Sequence, residues 1–433
     1  MSRKMDLLRF ITCGSVDDGK STLIGRLLYD SDSVSLDVLA ALENRPSVHG
    51  TVDLALLTDG LRAEREQGIT IDVAYKYFTT PRRKFIITDA PGHVQYTRNM
   101  VTGTSNADLA VVLVDARQGV VEQTRRHTLV AALLGIRHFV LAVNKLDLVG
   151  FDETIFDQIA ADYAALTDHF QLPAATAIPL SALHGDNVVR RSNRLPWYAG
   201  PSLLEHLESV PVTLEVATAA PRFQVQYVIR PQTAELPDYR GYAGQIQSGQ
   251  YRRGDRVRVL PSGLESVLEA IEVNQQAVET AAAPQAVVLH LRDDVAVSRG
   301  DAIIPVNHVP TLTRELEATL CWMSEQPLWP GRKLLLQHHS AVVKATVPTI
   351  LHKVNVQTFA RAATESAQLN DIVRVRLKTA VPLAVDNYHE NRVTGAFILV
   401  DEQSGDTIAA GLIGAANADY FTAPVAPPVA FSI

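Results

Sequence analysis

Short apolar runs alternate with amphipathic stretches through the first half of the chain. Leu7–Cys13, Lys84–Thr88, Leu109–Asp115, Phe139–Val143 and Ala177–Leu180 have the continuous apolar character of strands covered on both faces. Leu23, Ile24, Leu27 and Leu28 recur at a helical period, and Gln123–Leu134 forms a further amphipathic stretch. This alternation predicts an α/β domain with a doubly wound, mostly parallel sheet over residues 1–215. Between the first helix and Arg65-Glu66-Gln67-Gly68-Ile69-Thr70 runs a polar stretch longer than an ordinary connection, which is where a switch should lie.

The pattern changes after Val210-Pro211. Phe223–Ile229, Gly244–Ile246, Arg256–Leu260 and Ala286–Leu291 are short β-rich runs punctuated by turns, and they predict a small β-barrel over residues 216–311. Leu316–Met323, Lys333–Gln337 and Ala396–Val400 predict a second barrel over 312–433. The Ala/Gln-rich stretch Gln275–Ala286 reads as a barrel loop, and the Pro-rich Thr422–Ile433 as a loosely held tail. A length of 433 residues agrees with several domains.

Composition narrows the class. With 47% hydrophobic and 20% charged residues the chain is neither disordered nor membrane-spanning in character. Arg9 interrupts the apolar start of Met1–Phe10, which reads as the first strand and not as a signal peptide. The two cysteines, Cys13 and Cys321, lie far apart in strand-like contexts, as expected of a cytoplasmic protein. A net charge of −7 argues against a polyanion as main partner, so neither nucleic acid nor membrane is expected. Arg190, Arg191 and Arg194 lack interleaved aromatics and read as a solvated face, while Trp197-Tyr198 read as packing. The histidines, among them His338-His339, show no metal-ligand spacing, and His184 reads as loop chemistry.

The chemistry sits at the strand ends. Gly14-Ser15-Val16-Asp17-Asp18-Gly19-Lys20-Ser21 joins the first strand to the first helix as a P-loop. Its glycines let successive N–H groups face phosphate oxygens, Lys20 reaches the β- and γ-phosphates, and the Ser21 hydroxyl can ligate Mg²⁺. Asp89-Ala90-Pro91-Gly92-His93 puts an acid at a second strand tip and a glycine N–H within reach of a γ-phosphate. Asn144-Lys145-Leu146-Asp147 and Ser181-Ala182-Leu183 end two further strands and read as guanine-recognising loops. The Asp147 carboxylate can accept from both the ring N–H and the exocyclic amine of guanine, a pair that adenine does not offer, and the Lys145 stem can lie along the base. The expected ligand is therefore GTP.

A P-loop domain followed by two barrels resembles the elongation factor Tu family of translational GTPases. More narrowly, Cys13–Leu28, Glu64–Tyr75, His93–Met100, Tyr239–Gly244, Cys321–Met323, Pro330–Lys333 and Glu390–Asp401 resemble the GTPase subunits of bacterial sulfate adenylyltransferases. That resemblance implies a smaller adenylyltransferase partner carrying the adenylyl-transfer residues. It also implies GTP hydrolysis that drives ATP and sulfate toward adenosine 5′-phosphosulfate and pyrophosphate. His93 is then expected to orient the attacking water, and Lys20 and Thr70 to serve catalysis. Mg²⁺ is expected on Ser21 and Thr70, with Asp89 acting through a water. Val94, Ala90 and the loop near Gln275 depart from the family pattern without removing a group that touches phosphate, metal or base. No second P-loop occurs, so the fused kinase activity of some relatives is not expected. A translation factor carrying aminoacyl-tRNA and a GTP-binding scaffold with little turnover are the alternatives.

Overall fold

The computed structural model describes residues 6–34, 37, 54–57, 72–91, 97–169, 172, 174–211, 219–231, 233–234, 238–355 and 360–414. Thr70, Gly92, His93, Val94, most of the switch stretch before Thr70 and the tail Thr422–Ile433 lie outside them. The chain divides into two compact units, the first centred on Met1–Val212 and the second on Thr213–Asn355 with Ala360–Ile433. Among the described residues no helix is long and apolar enough to cross a membrane.

The first unit contains β1 (Asp6–Cys13), α1 (Lys20–Asp30), β2 (Ala74–Thr79), β3 (Arg83–Asp89), α2 (Thr97–Thr104), β4 (Leu109–Asp115), α3 (Glu122–Leu133), β5 (His138–Asn144), α4 (Glu153–His169), β6 (Thr176–Pro179) and α5 (Leu203–Ser209). The sheet order is β2-β3-β1-β4-β5-β6, parallel throughout except for the antiparallel edge strand β2. Every residue of β4 is buried, as expected of a central strand covered on both faces. One face packs Leu8, Phe10, Ile87, Leu113 and Ile178 against Leu23, Leu27 and Leu207. The strand order reverses between β1 and β4, so the carboxyl ends of these strands open the crevice where such sheets bind ligands.

Two polar devices hold the rim of this sheet. Ser202 caps α5 in a reciprocal box with Glu205. The buried Arg83 donates to the carbonyls of Leu207 at 2.9 Å and Val210 at 2.6 Å, satisfying groups that the end of α5 leaves orphaned, and pairs with Asp6 at 2.6 Å.

The second unit holds two closed barrels. In the first, strands follow the order Ala302–Pro305, Arg256–Leu260, Glu265–Val273, Ala286–Leu291, Gly241–Ser248, Arg222–Phe223, and a bridge from Gln224 to Ala302 closes the ring. Phe223, Tyr242, Tyr251, Leu268 and Leu289 fill it. In the second the order is Lys333–His338, Ala396–Val400, Thr407–Ile413, Thr311–Trp322, Ile372–Val385, Ala341–Val354, closed by pairing of the last strand with the first. Trp322 is fully buried there, and its indole N–H donates to Gln326 O at 2.9 Å. Arg222 joins the barrels by donating twice, at 2.8 Å each, to the Asp386 carboxylate, which also accepts from Thr394. Burial pushes the Asp386 carboxyl up, but these bonds outweigh it and hold the group below the usual carboxylate range.

Two expectations are corrected. Gln275–Ala286 is not simply a loop, because Gln276–Val278 and Thr280–Ala282 are paired strands. Asn274 and Gln275 take positive φ, which turns the chain tightly enough for main-chain pairing to prevail over the weak β-preference of alanine and glutamine. The run Phe223–Ile229 is split at Gln224, which leaves its ladder to bridge Ala302. The arginine cluster is solvated as expected, with Arg191 on Glu205 at 2.8 Å and Arg194 on Asp186 at 3.5 Å. Trp197 and Tyr198 pack around Phe156.

Candidate functional site

The loop after β1 is shaped by contacts that only glycine permits. Gly19, at φ 92°, caps α1, and a Cβ there would stand 2.4 Å from Asn144 Nδ2. Asp17 takes a positive φ of 65°, and the Asp18 carboxylate accepts from the Ser15 N–H, which closes the loop on itself. Lys20 lies almost wholly buried, its Nζ donating to the carbonyls of Gly14 at 3.1 Å and Ser15 at 2.7 Å. Burial lowers the Lys20 pKa, while Asp89 and Asp18 oppose that fall. An anionic ligand at the loop would favour the ammonium further. Ser21 follows in the first turn of α1, where the helix N-terminus favours negative charge.

Asp89 ends β3, with its Cα paired to Thr12, and accepts from Thr12 Oγ1 at 3.4 Å. It is buried, as are Ala90 and Pro91, so the chain leaves this strand from a fixed point. Its charge is felt at Lys20, which brings the two phosphate-side words together.

The base side is organised by Asn144. From the tip of β5 its amide donates to Asp18 O at 2.7 Å, while its Oδ1 accepts from the Ala182 N–H at 2.9 Å. One side chain thus ties the P-loop to Ser181-Ala182-Leu183. Lys145 adopts the left-handed conformation, φ 63°, and its Nζ donates to Asp17 O. Leu146 is buried, and Asp147 lies on the short 3₁₀ turn Leu146–Val149, with His184 Nε2 3.8 Å from its carboxylate. Ser181 and Ala182 are buried and Leu183 is exposed.

The structure therefore brings together Gly14–Ser21, Asp89–Pro91, Asn144–Asp147 and Ser181–Leu183. Three residues escaped the sequence reading. Arg26 of α1 donates to Ala182 O at 3.2 Å and Leu183 O at 2.6 Å, supporting the last loop from beneath. Asp115, at the tip of β4, pairs with Arg117 and also with Lys145, so Lys145 is engaged in a salt bridge to a buried partner. The signal for Asp115 was present, since it is an acid at a buried strand tip like Asp89. Among the described residues no cluster of three His, Cys, Asp or Glu side chains forms a metal site.

Gly19→Ala is expected to lower the stability of the folded chain by about 3–4 kcal/mol, read in denaturant unfolding. A left-handed alanine costs about 1–2 kcal/mol, and displacing Asn144 breaks two buried bonds at about 1 kcal/mol each.

A P-loop at the switch point of a parallel sheet, facing an Asn-Lys-x-Asp strand end, defines the class as a GTP-binding P-loop protein. The family model for the elongation factor Tu GTP binding domain matches residues 5–271, and that for the GTP-eEF1A C-terminal domain-like family matches 315–414. Sulfate adenylyltransferase subunit 1 of Laribacter hongkongensis is 51% identical over 95% of this chain and 86% of its own length. That of Teredinibacter turnerae is 48% identical over 94% and 87%. The bifunctional enzyme CysN/CysC of Mycobacterium tuberculosis is 52% identical over 94% of this chain and 67% of its own length. The chain belongs to the sulfate adenylyltransferase subunit 1 family of elongation factor Tu-type GTPases.

Proposed function

We propose that this chain is the GTP-hydrolysing subunit of a sulfate adenylyltransferase, working in the cytoplasm with a small adenylyltransferase subunit. GTP hydrolysis on this chain drives the partner's synthesis of adenosine 5′-phosphosulfate and pyrophosphate from ATP and sulfate. The observation that carries the reading is the joining of P-loop, β5 tip and Ser181–Leu183 loop through Asn144, in a chain 51% identical to a subunit 1 over nearly its whole length. The working division is a nucleotide domain over 1–215 and barrels over 216–311 and 312–433.

Phosphoryl transfer to water depends on placement and charge neutralisation, so the roles follow from reach. Lys20 and the amides of Gly14–Ser21 hold the phosphates, and the Asp89–Gly92 loop meets the γ-phosphate. Asp147 reads the guanine edge, with Asn144, Lys145, Leu146 and Ser181–Leu183 framing it. Ser21, Thr70 and, through a water, Asp89 would hold Mg²⁺, which neutralises charge on the β- and γ-oxygens when bound. His93 orients the attacking water. Loss of the γ-phosphate releases Thr70, and partner states that favour different switch conformations convert that release into work.

The test mixes this chain with the small adenylyltransferase subunit of the same cell and measures adenosine 5′-phosphosulfate formed with and without GTP. Product that rises with GTP, together with GTP hydrolysis, is the expected result. Product indifferent to GTP in an assembled complex would overturn the reading, and a GTP-dependent complex with charged tRNA would replace it.

A further inference from the structure

The proposed base site leaves one buried carboxylate without a role. Asp115 closes β4 opposite Asn144 at the tip of β5, and its side chain is wholly shielded from solvent. Lys145 Nζ lies 3.0 Å from its Oδ2. Arg117 grips it by donating from Nη2 to Oδ2 at 2.6 Å, from Nε to Oδ1 at 3.0 Å and from its backbone N–H to Oδ1 at 2.9 Å. Burial pushes the carboxyl up, but the bonds from Arg117 and Lys145 prevail and hold it below the usual carboxylate range, so it is charged at neutral pH.

Lys145 is consequently pinned from two sides. Its ammonium bridges the β4 tip and the P-loop, through Asp115 and Asp17 O. Its stem lies against the loop, with Cε 3.9 Å from the place a Cβ on Gly19 would take. A free lysine has many rotamers to lose on binding a base, whereas one held by the protein's own groups has few.

We propose that Asp115 is a positioning residue for nucleotide binding: its carboxylate, set by Arg117, holds Lys145 so that the lysine stem forms a fixed floor for the purine ring. The inference rests on the reading of Asn144–Asp147 as the base site. A stem under the ring face acts on every purine alike, unlike a carboxylate on the ring edge.

The test measures dissociation constants of GDP and IDP for the full chain and for Asp115→Asn, Arg117→Ala, Lys145→Met and the Asp115→Asn/Lys145→Met double variant. Asn at 115 keeps the size and can still accept from the Arg117 N–H, and Arg117 is half-exposed, so its variant carries the test if Asp115→Asn fails to fold. Asp115→Asn is expected to weaken GDP and IDP about tenfold with their ratio unchanged. Arg117→Ala is expected to do so less. In the Lys145→Met background Asp115→Asn should add less than about twofold, the mark of a residue acting through another.

Undiminished affinity in Asp115→Asn, an equal loss with and without Lys145, or a changed GDP/IDP ratio would each overturn the proposal. Asp147→Asn separates the two readings. If it leaves base preference unchanged, the base site and this inference fall together. If it shifts preference while Asp115→Asn is silent, the base site stands and this inference alone falls.

Discussion

Asp147→Asn turns a guanine binder into a xanthine binder: GDP affinity falls and XDP affinity rises, the ratio moving on the order of 10⁴-fold. At the proposed base site the Asp147 carboxylate accepts from the ring N–H and the exocyclic amine of guanine. An amide of the same size still accepts from the ring N–H but presents its NH₂ to the amine. Two donors then face each other, and neither finds an acceptor in the other. Xanthine carries a carbonyl at that position and accepts from the new NH₂. The scaffold should not register the change, because Asn144 keeps its bonds to Asp18 O and the Ala182 N–H, and Lys145 keeps its hold on Asp17 O. Asp147 lies on a short 3₁₀ turn with His184 nearby at 3.8 Å, a partner the amide can also hydrogen-bond. Competition titration with GDP and XDP checks the outcome. Unchanged guanine selectivity in a folded variant would remove Asp147 from the base edge.

The features legible in the sequence are those in which local pattern and final environment agree. β4 and β5 are buried on both faces, so an unbroken apolar run announced each of them to within a residue, and β1 showed through although the exposed Arg9 interrupts it. Edge strand β2 was not foreseen because Tyr75 and Tyr77 face outward and only Phe78 is buried. The 14-residue barrel strands Ala341–Val354 and Ile372–Val385 were hidden for a related reason. Register shifts between Thr346 and Thr349 break the alternation that a half-buried strand should show. In the site, each phosphate or base word could be found because its residues are neighbours in sequence. Arg26 could not, since the carbonyls it supports lie 156 and 157 residues away. Asp115 and Arg117, two residues apart, look like an ordinary turn until Lys145 arrives from the neighbouring strand.

His93→Ala should leave GTP affinity within about twofold and lower partner-stimulated hydrolysis on the order of 10³-fold, the range expected when a group that positions or deprotonates a nucleophile is removed. Asp89, Ala90 and Pro91, at the end of β3, are buried, and α2 begins at Thr97, so His93 lies on the short stretch between two described elements. An imidazole four residues beyond Asp89 is the first side chain after Gly92 able to hold a water by hydrogen bonding. Alanine removes that group without touching Lys20, Ser21 or the base site, which is why binding and turnover should separate. His93→Gln, which retains a hydrogen-bonding end, should fall between the two. Adenosine 5′-phosphosulfate synthesis measured in the same mixtures adds a second reading. If hydrolysis and synthesis fall by the same factor, each product costs a turnover of GTP. If synthesis persists while hydrolysis is lost, binding of GTP alone drives the partner. A His93→Ala chain that hydrolyses at the native rate would take the histidine out of the chemistry and leave the water to be positioned by the backbone of the same loop.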